Sequence, residues 1–303
     1  MRGQNKIHFL NTGPSDCILL ESNGHFALID AAEDNDFPAD KPHLKRPGYE
    51  QAVVDYLLEH ARGEDGLVTL DFVLGTHAHS DHLGGFDTVI LHPEIRVKKG
   101  YLRRYDGERV FIMERKRWDN EEVHDQMYDA LEKVGAQIVE DFNGEKTTLG
   151  AFALTFFYYE NQPRFPKYGE NVNSVIVLAE LGKARALLVG DLNYKTGDER
   201  RVADRVGKVD LLKVGHHGYV GSSSAYFLKK LAPRYAVVPN VKWRIYPDVK
   251  WKLRHVAHAE LHTTVDEDGV IAEFDDNGEI EIHSGACQRA VNRGAAGHTE
   301  SRR

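Results

Sequence analysis

The chain has 303 residues, 41% of them hydrophobic and 28% charged, which is enough apolar surface to bury a sizeable core. A formal net charge of -8 argues against non-specific nucleic-acid binding by the surface as a whole, and no apolar run approaches the length of a membrane span. The two cysteines, Cys17 and Cys287, lie far apart in no metal-type spacing, and no apolar leader segment follows Met1, so a reduced, cytoplasmic protein is expected.

In chain order, short strands are predicted at residues 7–10, 17–20 and 25–30, the last opened by the turn pair Asn23-Gly24. Residues 33–47 are rich in Asp, Pro and Lys and read as a loop. Pro47-Gly48-Tyr49-Glu50 then opens a helix with Val53, Val54, Leu57 and Leu58 on one face. The apolar run Leu70-Asp71-Phe72-Val73-Leu74 reads as a buried strand that Gly75 releases into a turn. Directly after it stands Thr76-His77-Ala78-His79-Ser80-Asp81-His82-Leu83-Gly84-Gly85, with three histidines and a carboxylate within six residues. Four such groups exceed what one tetrahedral site with an open position needs, so two divalent ions are expected; imidazole and carboxylate suit zinc, with manganese or iron as alternatives.

A helix or turn follows Gly85, then a strand at 95–97. Between Arg96 and Arg117 nine Lys/Arg face only Asp106, Glu108 and Glu114, which reads as a basic patch or as a solvated face. A helix is expected over Asn120–Val134, ended by Gly135, and strands over 152–159, 172–181 and 184–189. A helix over Asp198–Val206, a strand over 209–214 and a serine-capped helix over 222–231 follow, the last stopped by Pro233. Strands at 235–239, 269–274 and 279–283 complete the pattern. Strands and helices interleave, with runs of adjacent strands at both ends, so the class is α/β with mixed sheets rather than pure βαβ winding. Residues 1–285 are expected to form one domain and 286–303 a polar, disordered tail. The segment Lys242-Trp243-Arg244-Ile245-Tyr246-Pro247-Asp248-Val249-Lys250-Trp251 has two readings: rings packing a surface loop, or rings that stack a base or hold a quaternary ammonium.

Two further strand ends carry metal-type groups. Leu187-Leu188-Val189-Gly190-Asp191 places a carboxylate where an apolar strand stops, and Lys213-Val214-Gly215-His216-His217 places two imidazoles similarly. A dinuclear site wants a bridging carboxylate and one more imidazole, which raises Asp191 above an ordinary turn residue. Adjacent residues of an extended chain point to opposite faces, so His216 and His217 are not expected to be equal ligands of one ion.

His77-Ala78-His79-Ser80-Asp81-His82 resembles the HxHxDH signature of the metallo-β-lactamase fold superfamily. Elsewhere the chain resembles the ComEC-type hydrolase domains of DNA-uptake proteins and the related phosphorylcholine esterases. The matching stretches are Asn11 to Leu20, Ala27 to Ala32, Val172 to Val177, Gly190-Asp191-Leu192, His216-His217-Gly218-Tyr219 and His262 to Ile271. The resemblance implies a four-layer αβ/βα sandwich with metals at one edge. It implies that His77 and His79 hold the first ion, that Asp81, His82 and His217 hold the second, and that Asp191 bridges them. His216 would face substrate, and Asp81 would also shuttle a proton. Where many members supply a third histidine, the corresponding residue here is Asn173, either a poorer ligand at or near the first ion or a plain loop residue. Tyr219 replaces the branch's Ser, as a donor to a developing oxyanion or as rim packing. Asp30 would orient the histidine loop or serve a structural hydrogen bond.

Two such ions lower the pKa of a bridging water and polarise the substrate, so no Ser or Cys nucleophile is needed. The expected activity is hydrolysis of a phosphodiester, in a nucleic acid or a small phosphoryl ester. A lactone, thioester or β-lactam hydrolase and a metal-stabilised binding module without turnover are the alternatives. No obligate protein partner is indicated.

Overall fold

The apolar runs are continuous because their strands are buried on both faces. Along Cys17–Ser22 and His25–Ala31, Ile18, Leu20, Ala27 and Ile29 point into one core, while Leu19, Leu28 and Ala31 point into another. A computed structural model describes residues 4–159, 168–275 and 277–287. Its first sheet runs Ile280–Ser284, Val270–Phe274, Asn5–Phe9, Cys17–Ser22, His25–Ala31, Val68–Gly75, Lys99–Leu102, Gln137–Val139, with Ile95–Val97 also on Val68–Gly75. The second sheet runs Glu260–Thr263, Tyr235–Val238, Leu211–Lys213, Ala184–Leu188, Ile176–Leu181, Phe152–Phe157, Lys146–Leu149.

Between the sheets lies an apolar core in which Phe156 meets Tyr101 at 4.9 Å and Phe72 at 5.7 Å, both edge to face. Helices Glu50–His60, Phe86–Leu91 and Asn120–Val134 cover the outer face of the first sheet through Val53, Val54, Leu57, Phe86, Met127 and Leu131. Helices Asp198–Val206, Ala225–Leu231 and Pro247–Lys252 cover the second through Val202, Phe227, Leu231 and Val249. The result is the expected four-layer αβ/βα sandwich.

Both sheets have a parallel stretch: His25–Ala31 with Val68–Gly75 and Lys99–Leu102, and Ala184–Leu188 with Leu211–Lys213 and Tyr235–Val238. Asp30 stands at the end of His25–Ala31, and the loops after the other strands carry the histidine motif, Asp191 and the His216-His217 pair, so topology alone delivers those residues toward one edge.

Several elements differ from the sequence reading. Strands Lys99–Leu102, Gln137–Val139, Lys146–Leu149 and Glu260–Thr263 are short, and most are polar or at a sheet edge, so periodicity does not expose them. The strand expected at 172–181 begins only at Ile176, because Glu170–Asn173 forms a tight 3-10 turn. The run between Arg96 and Arg117 is no single patch: Arg96 pairs with Asp65, Lys98 with Asp71, Arg103 with Glu170, Arg104 with Glu140 and Arg109 with Asp106. Cys17 and Cys287 are buried free thiols. Among the described residues no helix is long and apolar enough to cross a membrane. Of the tail expected over 286–303, Cys287 is buried and its amide donates to the Asp268 carbonyl, and residues 288–303 lie outside the described residues.

Candidate metal centre

Four imidazoles turn one nitrogen each toward a common space, with a polar group beside the other nitrogen of each ring. Asp30 Oδ2 lies 2.7 Å from His82 Nδ1, and the two oxygens of Asp30 also accept from the Thr76 amide and hydroxyl, each at 2.8 Å. Thr76 Oγ1 is in turn 3.1 Å from His77 Nδ1. Glu114 Oε1, from the helix Ile112–Arg117, sits 3.0 Å from His79 Nε2. Asp16 Oδ1 sits 3.3 Å from His217 Nδ1. His77 Nε2, His79 Nδ1, His82 Nε2 and His217 Nε2 are the nitrogens that remain, and the first two are 3.1 Å apart.

Asp191 stands between the rings. Its Oδ1 is 3.3 Å from His82 Nε2 and its Oδ2 3.4 Å from His217 Nε2, while Asp81 Oδ2 lies 3.2 Å from the same His217 nitrogen. Gly190 makes this possible: its φ is +50°, and a Cβ there would come within 3.1 Å of both Ser174 and Thr76. The Asp191 amide donates to Ser174 Oγ at 3.0 Å, which ties the second sheet's loop to the turn before Ile176–Leu181.

His216 and His217 are not in extended backbone, as the sequence reading assumed. The strand ends at Lys213, and the two residues have φ of 51° and 47°, consecutive left-handed conformations that cost energy away from glycine and concentrate at functional sites. The turn nevertheless divides them. His217 is buried, whereas His216 is partly exposed on the wall of a cleft.

Burial penalises every charge here, yet the carboxylates Asp191, Asp30 and Asp16 hold His82 well above the ordinary imidazole range. Against the same penalty, Asp191 and Asp16 do this for His217. Burial, with His82 and His79 alongside, pushes His77 well below that range. Asp16 and Asp191 share one fully buried lysine, Lys213, which pairs with Asp16, lies 3.7 Å from Asp191 and donates to the Gly190 carbonyl at 2.7 Å. With the imidazoles neutral, as metal ligation requires, Asp16 and Asp191 outnumber Lys213, and bound cations would balance them.

His82 Nε2, His217 Nε2 and Asp191 Oδ1 have no hydrogen-bond partner, and each such buried atom costs about 1–3 kcal/mol unless a ligand completes it. Ligand atoms of His77, His82 and Asp191 lie within 4.8 Å of one another, as do those of Asp16, His82 and His217. Nitrogen and carboxylate donors in this arrangement fit divalent transition metals. The residues present therefore fit metal ions.

Above the cluster opens a cleft of about 470 Å³, walled by Trp118, Tyr168, Asn193, Lys195, His216 and Tyr219 among others. The Tyr219 ring is 5.7 Å from that of His216. Asn173 is turned elsewhere: its amide nitrogen donates to Glu170 Oε2 at 2.7 Å, and Arg103 holds the other Glu170 oxygen at 2.6 Å. From the same turn it is Asn171 that lines the cleft, with Nδ2 3.4 Å from Asp191 Oδ2 and Oδ1 unpartnered. Asn171, Asp16, Glu114 and Lys213 were not singled out in sequence. Lys213 left one signal, a charge inside an apolar strand, and Glu114 another, a lone carboxylate beside three cations. Glu114→Ala is expected to weaken metal binding about 10–100-fold, measured by chelator competition, since outer partners of ligating histidines are typically worth that much. An unchanged affinity would mean that Glu114 only packs the helix.

A two-sheet sandwich flanked by helices gathers histidines and carboxylates at one edge as a candidate metal site. Residues 10–116 match the family model described as the metallo-beta-lactamase superfamily. The chain carries a metallo-β-lactamase domain, homologous to the ComE operon protein 3 group. It is 26% identical over 211 residues to ComE operon protein 3 of Bacillus subtilis, covering 68% of this chain and 25% of that protein. With Recombination protein 2 of Haemophilus influenzae it shares 26% over 181 residues, 58% of this chain and 18% of that one. The chain thus spans about a quarter or less of these curated relatives. Among solved structures, the metallo-beta-lactamase fold protein YhfI from Bacillus subtilis superposes with a TM-score of 0.54 at 11% identity, over 92% of this chain and 99% of that one. That likeness supports the fold.

Proposed function

We propose that the protein is a metal-dependent hydrolase of phosphodiesters, in nucleic acid or in small phosphoryl esters. One observation carries this reading. The inward-facing nitrogens of His77, His79, His82 and His217 meet the Asp191 carboxylate at the floor of an open cleft whose wall holds a cation, Lys195, and two amides, Asn171 and Asn193. His77 and His79 would hold one ion, Asp81, His82 and His217 the other, with Asp191 shared. When bound, two divalent ions, zinc first, supply an activated water and Lewis acidity.

The protein's own groups do the rest. Asp81, whose side chain is 27% exposed to the cleft, is placed to take the proton of the attacking water. Lys195 and Asn193 can hold non-bridging oxygens, and His216 and Tyr219 can donate to the leaving oxygen. Relatives named for recombination and competence favour nucleic acid within the class.

The aromatic wall formed by Phe111, Trp118, Tyr168 and Tyr219 favours a second reading, an acyl substrate such as a lactone, thioester or β-lactam. The metal-loaded protein should be assayed against bis(p-nitrophenyl) phosphate, a single-stranded oligonucleotide, p-nitrophenyl acetate and a chromogenic β-lactam. Turnover of the phosphodiesters is expected. Turnover of only the acyl substrates would move the protein to the second reading, and full metal occupancy without any turnover would make it a binding module.

A further inference from the structure

The segment from Lys242 to His255 carries Lys242, Arg244, Lys250, Lys252 and Arg254 against a single carboxylate, Asp248, in a chain of net charge -8. Asp248 is engaged by Lys252 at 2.8 Å. The other nearby carboxylates are also occupied: Asp266 accepts from the Lys242 amide and the Thr263 hydroxyl, and Glu260 lies 3.5 Å from His262. Lys242, Lys250 and Arg254 have no ion pair among the described residues, and they line a groove of about 700 Å³ with Trp251, His255 and Leu261.

The local fold sorts these side chains into rows. Pro247–Lys252 is helical and runs into the wider turn Leu253–Ala257, so residues four apart are neighbours on its surface. Lys250 and Arg254 make a cationic row. Trp251 and His255 make an adjacent ring row, with centroids 5.2 Å apart and planes 39° from parallel. Val249 and Leu253 anchor the opposite face in the core. Trp251 is 56% exposed and Trp243 74%, although nothing about the core required either ring to be left in water. Arg244 lies over the Trp243 ring at 5.1 Å, and cations beside exposed rings are the chemistry that holds a backbone of phosphates and stacks unpaired bases.

The groove is tied to the metal-type cluster. Asn240 Nδ2 donates to the His217 carbonyl at 2.9 Å, the Tyr246 amide donates to the Gly218 carbonyl at 2.9 Å, and Ile245 packs against Gly218. Exposed Trp243 and Tyr246 lie on the stretch between.

We propose that the groove bounded by Lys242, Lys250, Trp251 and Arg254 is a second, non-catalytic site that binds single-stranded nucleic acid, with phosphates on the cationic row and a base on Trp251. It rests on the phosphodiesterase reading only in its purpose, which is to hold a long substrate whose further part reaches the cleft. Binding itself needs neither the metals nor turnover. The site explains how an acidic protein engages a polyanion: locally, on one strip, rather than through its overall field.

The test uses the full chain and a fluorescent single-stranded oligonucleotide, read by anisotropy across a salt series, with bis(p-nitrophenyl) phosphate hydrolysis measured in parallel. Trp251→Ala is expected to raise Kd about tenfold, and Lys250→Gln with Arg254→Gln to make the slope of log affinity against log salt shallower by about 1.4. Hydrolysis of the small ester should stay at the native rate in all variants, which also shows that they are folded. Native-like oligonucleotide binding by both variants would overturn the proposal. So would tighter binding of duplex than of single strand, or equal binding of polyglutamate that is insensitive to Trp251→Ala. If the native protein hydrolyses no phosphodiester but the variants lose oligonucleotide, the functional reading fails and the groove stands.

Discussion

Asp191→Ala is expected to abolish turnover and to empty both metal positions, with a fall in rate of at least about a thousandfold. An outer partner of a ligating histidine is typically worth about 10–100-fold in affinity or activity, and a carboxylate shared by two ions should exceed that. The geometry supplies the reason, because one Asp191 oxygen lies 3.3 Å from His82 Nε2 and the other 3.4 Å from His217 Nε2. Removing it strips a ligand from each side at once. Metal per chain after gel filtration in metal-free buffer should fall from two to below one, with the far-ultraviolet circular dichroism retained. Unchanged stoichiometry would sink the shared-ligand role and leave Asp191 as a turn residue.

The parts of this site that the sequence shows are those where chemistry is concentrated in a few consecutive residues. His77, His79, Asp81 and His82 stand within six positions after an apolar strand, and Asp191 and His217 each close another such strand. Strand-end placement is visible because a parallel sheet needs long apolar runs with abrupt stops. The supporting residues are a different case. Asp16, Glu114 and Lys213 act through partners 35 to 201 positions away in sequence, and the local oddity of Glu114 or Lys213 does not say which distant group it serves. Asn173 shows the limit of spacing arguments. The neighbouring Asn171 and Asn173 sit in one 3-10 turn, where a two-residue step rotates the side chain from the cleft to Glu170. At the level of fold, the long buried strands and the helix Asn120–Val134 are legible, whereas Lys146–Leu149 and Glu260–Thr263 depend on a neighbouring strand rather than on their own composition.

His217→Ala and His216→Ala should part company, although the residues are adjacent and both left-handed. His217 is buried, with Nδ1 toward Asp16 and Nε2 within 3.4 Å of both Asp81 and Asp191, so its loss should remove an imidazole donor from that position. The second ion should be depleted and turnover lost with it. His216 is partly exposed beside Tyr219 on the cleft wall, and burial lowers its pKa, so near neutral pH it would be the uncharged ring. Its deletion should leave two ions per chain and slow turnover by about 10²–10³, the usual effect of removing one donor to a developing oxyanion. Metal analysis and steady-state kinetics on the two variants decide between them. Metal lost from His216→Ala but kept by His217→Ala would reverse the assignment. Metal kept by both would mean that the second position is built from other donors, and Asp16, which already lies with His82 and His217 within ligand reach, would be the first to examine.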